Sequence, residues 1–228
     1  MGNRGPKPKG KVKIAWSPDF AYAIGLIATD GCLYSDGLHI SFGSKDIEQV
    51  KNFVRCLGLD NKIGQNLAGH KKSSSFRVQF GDVLFYDFII KLGITPAKSK
   101  TIEKVIVPEV YFFDFLRGVF DGDGYIHSYF DKRWKSSFLW YLGFCSASPK
   151  FLEWIQNNLH SILGVSGHIT KWSGGSCLQL KYAKNEAEVV MNEMYRSRKC
   201  TCLSRKKLKL KRILAIVAKS RSQRRGVN

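Results

Sequence analysis

The hydrophobic positions along the chain follow two different periods, and these predict a mixture of strands and helices. Three segments alternate apolar and polar residues, at 38–43, 76–80 and 178–182. Such alternation is typical of strands with one apolar and one polar face. Other segments repeat apolar residues at helical spacing, at 47–57, 83–92, 151–163, 187–195 and, as a last helix, 203–218. One-sided strands favour antiparallel sheets that helices cover on one face only.

The chain also contains an internal repeat. YAIGLIATDGCLY near residue 22 resembles FLRGVFDGDGYIH near residue 115, and each copy ends a helical segment in Asp-Gly. Downstream, 38–58 resembles 140–164, and 76–93 resembles 178–195. The offset between the copies increases after the Asp-Gly, which we interpret as a longer hairpin in the second copy, within 128–136. Repeats of this kind predict two related structural units.

Each copy predicts the element order α-β-β-α-β-β-α, so the fold class is α/β in the broad sense (α+β), with two pseudosymmetric halves. The predicted organisation is a basic N-terminal arm (1–13), a first half (14–94), a linker (95–110), a second half (111–218) and a basic C-terminal tail (219–228). The arm and tail are rich in Gly, Pro or Ser, and we expect them to be mobile when free.

The two Asp-Gly segments predict buried helices, because their apolar residues spread around most of the helix surface. Gly25 and Gly118 leave room for another backbone to approach closely. Gly31 and Gly124 follow each helix in the position of a C-terminal glycine cap. Asp30 and Asp123 are thereby placed at helix C-termini.

A carboxylate at a helix C-terminus is unfavourable, because that end of the helix dipole is already negative. Two such ends packed together would concentrate carboxylates and unpaired carbonyls until a cation neutralises them. Oxygen ligands of this kind suit Mg²⁺ or Ca²⁺. One Asp-Gly alone is most simply a helix end and a turn, but two matched copies favour a metal site that could support phosphodiester hydrolysis.

Charge points to an anionic partner. The chain has 37 Lys and Arg against 18 Asp and Glu, a formal net charge of +19. Nucleic acid is favoured over a membrane surface, since there is no run of about 18 apolar residues and no apolar core for a secretory signal at the start. Six cysteines without a C-x-x-C pair argue against a zinc module and are expected to be reduced thiols of an intracellular protein.

AIGLIATDG (23–31) and LRGVFDGDG (116–124) resemble the motif of the LAGLIDADG homing endonucleases, and the resemblance extends over about 15–215. It implies two halves whose motif helices pack at a central interface, with both sheets forming a saddle over double-stranded DNA. It also implies a monomer with internal pseudo-two-fold symmetry that cleaves both strands and leaves short 3′ overhangs. An intron-encoded enzyme fits better than an intein insert, because the chain lacks a starting Cys or Ser and a terminal His-Asn.

The same resemblance implies the site residues. The eighth motif position carries the catalytic, metal-binding acids, here Asp30 and Asp123, and the seventh offers backbone carbonyls, here Thr29 and Gly122. The implied cofactor is Mg²⁺, with Ca²⁺ or Mn²⁺ able to substitute in binding. Basic residues near the end of each half assist catalysis or only contact phosphate; the candidates are Lys98 and Lys100 in the first half and, in the second, Lys206 within Arg205–Lys207. Asp121, at the sixth position, is expected to be structural.

The polar strand faces are expected to read base pairs in the major groove. By alternation, the outward-facing residues are His39, Ser41, Arg77, Gln79, Tyr141, Gln179 and Lys181. Lys132 and Arg133, the rest of hairpin 131–135 and both tails are expected to contact phosphates, so affinity should fall steeply with salt. The alternative function is a non-cleaving nucleic-acid-binding relative, such as an intron splicing maturase or a transcription factor.

Overall fold

The computed structural model describes residues 10–67, 74–134, 137–171, 175 and 177–225, with the backbone alone described at 66, 67, 74 and 221–225. The predicted phosphate contacts at 1–9, at Lys135 and at 226–228 lie outside these residues.

Two halves with the same element order make up the fold, followed by one long helix. The first half contains α1 (Pro18–Thr29), β1 (Gly31–Leu33), β2 (His39–Ser44), α2 (Ile47–Leu57), β3 (Gly64–Leu67), β4 (Ser74–Gly81) and α3 (Val83–Lys91). The second contains α4 (Phe112–Asp123), β5 (Gly124–Phe130), β6 (Phe138–Ser146), α5 (Pro149–Leu163), β7 (His168–Lys171), β8 (Leu178–Ala183) and α6 (Lys184–Met194). The last helix is α7 (Ser204–Arg225). The predicted order α-β-β-α-β-β-α is confirmed in both halves.

Each half has a four-stranded antiparallel sheet, in the order β1-β2-β4-β3 and β5-β6-β8-β7. The register repeats between the halves: Gly43 pairs with Arg77 in the first sheet, and Gly143 pairs with Lys181 in the second. β5 is four residues longer than β1, being 7 residues against 3. The longer hairpin predicted in the second half is therefore present.

Equivalent residues begin and end the helices that follow the central strands. Asp46 caps the N-terminus of α2, and Ser148 caps that of α5 through its side-chain oxygen. Gly58 (φ 64°) and Gly164 (φ 67°) end the same two helices in the left-handed conformation that glycine adopts most easily. These local signals place both helices on the apolar face of their sheets.

α1 and α4 pack against each other at the centre of the molecule, and nine of the twelve residues in each helix are buried. A Cβ added at Gly25 would lie 2.2 Å from the carbonyl oxygen of Phe115, and one at Gly118 would lie 2.1 Å from that of Tyr22. Backbone therefore contacts backbone at this crossing, as the two glycines predicted.

Gly124 is the C-cap of α4, as predicted, whereas the C-cap of α1 is Asp30 and Gly31 already begins β1. Neither glycine adopts the left-handed conformation. Asp30, the C-cap of α1, is right-handed, and Gly124 is extended (φ −81°, ψ 156°). Glycine is required for another reason: a Cβ at Gly31 would lie 2.7 Å from Cα of Ile27, and one at Gly124 would lie 2.5 Å from the oxygen of Phe120. The chain turns from helix into strand so tightly that the strand touches the last helical turn.

Two predicted boundaries also need correction. Lys11 and Val12 donate their backbone N–H groups to the Asp82 carboxylate, at 2.6 and 2.9 Å, and Val12 is buried. Residues 11 and 12 therefore belong to the first half and not to a free arm. At the other end, α7 continues to Arg225, so the helix extends into the segment predicted as a tail.

Candidate active site

The two motif aspartates meet where the central helices end. Asp30 caps α1, and Asp123 is the last residue of α4. A Cβ at Gly122 would lie 2.1 Å from Oγ1 of Thr29 and 3.2 Å from Oδ2 of Asp30. The two helix ends are thus in direct contact, and a larger residue than glycine at position 122 would push them apart.

Both carboxylates are in an environment that disfavours their charge. Burial among protein atoms and, to a lesser extent, the charge of Asp123 raise the pKa of Asp30 to about 6, against the opposing charges of Lys206 and Lys98. Burial also raises the pKa of Asp123, while Lys206 and Lys98 lower it. Both side chains are nevertheless open to solvent on one side. Solvent therefore screens the repulsion between the two carboxylates and reduces its free-energy cost.

Two buried lysines flank the aspartates, one from each half. Lys98 donates its ammonium group to the carbonyl oxygen of Gly31. Lys206 donates to three carbonyl oxygens at the end of α4, those of Phe120 (2.5 Å), Asp121 (3.0 Å) and Gly124 (2.6 Å). Cations belong at helix C-termini, where unpaired carbonyls accumulate. Burial lowers the pKa of both ammonium groups, that of Lys206 to about 8.

The other basic candidates lie elsewhere. Lys100 is exposed, and it makes none of the carbonyl contacts that hold Lys98. Arg205 forms an ion pair with Asp46 at 2.9 Å. Lys207 points to the carbonyl of Arg198 and to Sγ of Cys200. The structure therefore brings Lys98 and Lys206 to the aspartates, and leaves Lys100 at the surface.

Asp121 is buried and links the halves, in agreement with a structural role. Its carboxylate accepts hydrogen bonds from the Tyr22 hydroxyl of α1 (2.8 Å) and from the backbone N–H of Leu203 (2.6 Å). Burial raises its pKa to about 6, against the opposing charge of Lys206. Leu203 precedes α7 by one residue, so Asp121 helps to fix the start of the helix that carries Lys206.

The donors at this site are oxygens, as magnesium requires. Among the described residues, no three His, Cys, Asp or Glu side chains are grouped as metal ligands. Two carboxylates and nearby carbonyls are nonetheless a suitable set, because Mg²⁺ commonly keeps several waters and binds one or two carboxylates plus substrate phosphate. A groove of about 470 Å³ extends from Asp30 and Gly122 past Ser44 to Arg77 and Arg205. It connects the acids to the polar face of the first sheet.

The raised pKa of Asp30 predicts a pH-dependent stability in the absence of metal. Between its ordinary value of 3.8 and about 6, the folded protein holds a proton that the unfolded chain has lost, so stability falls as the pH rises through this interval. Asp30→Asn should remove this loss and stabilise the protein at neutral pH by roughly 1 kcal/mol, a value reduced for solvent screening. Urea unfolding in EDTA measures it, with exposed Asp60→Asn as control. If the difference in unfolding free energy between Asp30→Asn and the wild type does not change with pH, the raised pKa of Asp30 is contradicted.

The contacts of Lys206 predict that its removal destabilises the second half. Lys206→Met leaves three carbonyl oxygens at the end of α4 without their donor, which should cost about 2 kcal/mol in unfolding free energy. The matched variant Lys100→Met, at an exposed position, should change it by less than about 0.5 kcal/mol. Equal unfolding midpoints for the two variants would show that Lys206 does not hold the helix end.

Tyr34, which the sequence analysis did not identify, organises the polar face of the first sheet. Arg77 donates to its hydroxyl and to Oγ of Ser41, and that hydroxyl donates to Oε1 of Gln79 at 3.4 Å. Ser41 was predicted to face DNA, but it is buried beneath Arg77 and supports that side chain instead. Gln79 is exposed, and His39 is half-buried with its Nδ1 2.6 Å from Asp36.

The polar face of the second sheet is rich in aromatic side chains. Tyr141, Gln179 and Lys181 line a concavity of about 560 Å³ together with three residues of β5, namely Tyr125, His127 and Tyr129. The Tyr125 hydroxyl donates to Oε1 of Gln179 at 3.1 Å. The β5 residues were missed because 124–130 has Ser128 among its apolar positions and aromatic residues on both faces, so it does not alternate apolar and polar residues cleanly. Lys132 and Arg133 are exposed at the hairpin tip, where Arg133 lies 3.7 Å from Asp131.

Comparison with known proteins agrees with this architecture. Residues 113–197 match the family model described as a LAGLIDADG-like domain. The homing endonuclease I-GzeII, solved in complex with a DNA target, is 10% identical with a TM-score of 0.59 over 90% of this chain and 92% of that chain. I-SmaMI bound to DNA is 16% identical with a TM-score of 0.56 over 90% and 91%. The sequence has no significant match among curated proteins.

A different class of protein is equally similar in fold. Full-length DUF199/WhiA from Thermatoga maritima is 15% identical with a TM-score of 0.56 over 91% of this chain. The chain spans 63% of the length of that protein.

Within the described residues, no helix is long and apolar enough to cross a membrane. Residues 113–197 are thus similar to a LAGLIDADG-like domain, and the two halves together have the fold of the LAGLIDADG homing endonucleases of known structure.

Proposed function

We propose that this protein is a site-specific homing endonuclease that makes a double-strand break in a long DNA target with a divalent metal ion and leaves short 3′ overhangs. The observation that carries the proposal is the meeting of Asp30 and Asp123, one from each half, beside the buried ammonium groups of Lys98 and Lys206. A binding protein has no need to hold two destabilised carboxylates at the junction of its halves.

The proposed metal ligands are the carboxylates of Asp30 and Asp123, with the backbone carbonyls of Thr29 and Gly122. When bound there, Mg²⁺ activates water and stabilises the oxyanions of a phosphodiester displacement; Ca²⁺ or Mn²⁺ would substitute in binding. Lys206 keeps the end of α4 in place, and with a pKa of about 8 its Nζ can release or hold a proton near neutral pH. Lys98 binds the carbonyl oxygen of Gly31, directly after α1, and so helps to hold the end of that helix.

The proposed substrate is duplex DNA bound by a single copy of the chain. The net charge of +19 favours a polyanion. The polar faces of the two sheets offer different donors, with Arg77 and Gln79 in the first half and Lys181 with the tyrosines in the second. Arg suits guanine and Gln suits adenine in the major groove. Because each half contributes one acid and one lysine, the pair can serve both strands.

The test begins by recovering bound sequences from a randomised duplex pool in Ca²⁺. A supercoiled plasmid carrying the recovered target is then incubated with the protein in Mg²⁺. The expected result is linear DNA with short 3′ overhangs, formed only on the target plasmid and abolished by EDTA. Tight binding to the target without any nick in Mg²⁺ or Mn²⁺ would overturn the proposal.

The second candidate is a nucleic-acid-binding protein that does not cleave. The observation in its favour is the WhiA structure, which is as similar in fold as the endonucleases. In that case the protein would bind a specific sequence with the same affinity in Mg²⁺ and EDTA, and Asp30→Asn would change neither binding nor the integrity of the plasmid.

A further inference from the structure

A second concave site lies at the opposite end of the central helices from the aspartates. It is a cavity of about 350 Å³ between the N-terminal ends of α1 and α4 and the segment 193–200. Twelve helical residues, about 18 Å, separate these ends from the acids. The Cys200 side chain lines this cavity. Its wall carries charges of both signs, positive from Arg117, Arg196 and Lys199 and negative from Asp19, Asp114 and Glu193.

Cys200 has neighbours that stabilise a thiolate. The Cys202 side chain interacts with that of Cys200, Nζ of Lys207 lies 3.9 Å from the Cys200 sulfur, and the Arg117 guanidinium is close. The first of these contacts contributes most to lowering the pKa of Cys200 to about 6, whereas burial and Asp114 oppose the shift. The pKa of Cys202 is raised by its interaction with Cys200 and by burial. A half-exposed thiolate beside cations is the usual setting of a reactive cysteine.

We propose that Cys200 is a redox-reactive nucleophile that attacks a small-molecule disulfide, such as oxidised glutathione, in this cavity, and that Cys202 resolves the product into a reversible Cys200–Cys202 disulfide. The Cys200 thiolate bonds to one glutathione sulfur, the glutathione S–S bond breaks, and one glutathione leaves. Cys202 then loses its proton and attacks the Cys200 sulfur, which releases the second glutathione. Two electrons pass from the protein thiols to the glutathione disulfide, so the exchange is balanced.

The position of this pair links it to the aspartate site. Thr201, between the cysteines, accepts a hydrogen bond from Arg117 at its carbonyl (2.8 Å), and its hydroxyl donates to Asp19 (2.6 Å). Leu203, the next residue after Cys202, donates to Asp121. Closing a ring over one intervening residue would bend this segment and disturb the contacts that precede Lys206. Oxidation is therefore expected to slow cleavage several-fold, a consequence that rests on the proposed function.

The experiment exposes the full chain to oxidised glutathione at neutral pH, stops exchange with acid, and maps thiols by alkylation and peptide mass spectrometry. The expected product of the wild type is a disulfide within 200–202. Cys202→Ser should stop at a glutathione adduct on Cys200, and Cys200→Ser should form neither product. The matched control pair is Cys145 and Cys177, whose thiols are also neighbours. Burial raises the pKa of Cys145 to about 12, so this pair should stay reduced.

Equal oxidation of both pairs, or an adduct on Cys202→Ser at a residue other than Cys200, would overturn the proposal. A second measurement does not depend on the folding of cysteine variants: alkylation of Cys200 in the wild type should be half-maximal near its pKa of about 6, and Lys207→Met should slow it several-fold at neutral pH. Thiol mapping needs no DNA, so it tests the cysteine proposal independently of nuclease activity. Cleavage before and after reduction with dithiothreitol then tests the link to Lys206.

Discussion

Asp30→Asn and Asp123→Asn are each expected to lower target cleavage by at least about 10³-fold, while binding to the same DNA stays within a few-fold of wild type. The reason is that the two carboxylates contribute the only acidic side chains proposed to hold the metal, and metal stabilisation of a phosphodiester displacement is worth several kcal/mol. An amide keeps the size of the side chain but loses the charge that attracts a divalent cation. Plasmid linearisation under single-turnover conditions measures the effect.

Binding and folding must be measured beside this loss. The removal of one negative charge from the groove proposed to face DNA should leave affinity equal or slightly higher, because carboxylates repel phosphates. Asp60→Asn, at an exposed position of the first half, is the matched control and should cleave at the wild-type rate. Cleavage by Asp30→Asn at the wild-type rate would show that the carboxylate does not serve the reaction. A parallel loss of binding would place its role in DNA contact.

Gly25→Ala is expected to destabilise the protein by about 3–5 kcal/mol or to prevent folding, and Gly118→Ala should do the same. The added methyl groups would lie 2.2 Å from the oxygen of Phe115 and 2.1 Å from that of Tyr22. Both obstacles are backbone atoms inside buried helices, which cannot move aside as a flexible side chain can. The helices would have to separate, and the burial along their whole contact would be weakened. Chemical unfolding followed by circular dichroism measures the change.

Gly64→Ala is the matched control, since its nearest atom would be 3.7 Å from the added methyl. It should change the unfolding free energy by less than about 1 kcal/mol. If Gly25→Ala unfolds at the same denaturant concentration as Gly64→Ala, the close crossing of α1 and α4 is not present in solution. That result would also remove the basis for bringing Asp30 and Asp123 together, because both residues are carried by these two helices.

The cysteine pair at 200 and 202 lies far from the motif aspartates but is connected to α4 by hydrogen bonds. Arg117 and Asp121 both lie on α4 and both hold the segment that leads to α7, through the carbonyl of Thr201 and the N–H of Leu203. The second half therefore has a connection between the cysteine pair and Lys206. In the first half Ala28 stands in the position of Asp121, so the corresponding contact is absent and the two lysines are held differently.

Local sequence patterns determined the elements of this protein and their order. The period-two segments became β2, β4 and β8, and the helical periods became α2, α3, α5 and α6 within a few residues, and α7, which continues beyond its predicted end at 218. Each of these patterns reports which side of an element faces the core, and that information is contained in neighbouring residues. The repeated Asp-Gly identified Asp30 and Asp123 as candidate site residues, because a short motif that occurs in both copies of a repeat is much less likely to match by chance than a single occurrence.

Tertiary structure alone decided which residues join the acids and why the glycines are needed. Lys98 and Lys100 are equivalent in the sequence, but only Lys98 reaches a helix end, since side-chain direction depends on the turn in which each lies. Gly31 and Gly124 resemble helix caps, but they are required by a strand that touches its own helix. Ser41 is buried by Arg77 from another strand. Each of these contacts joins residues distant in sequence, and no local period carries information about such pairs.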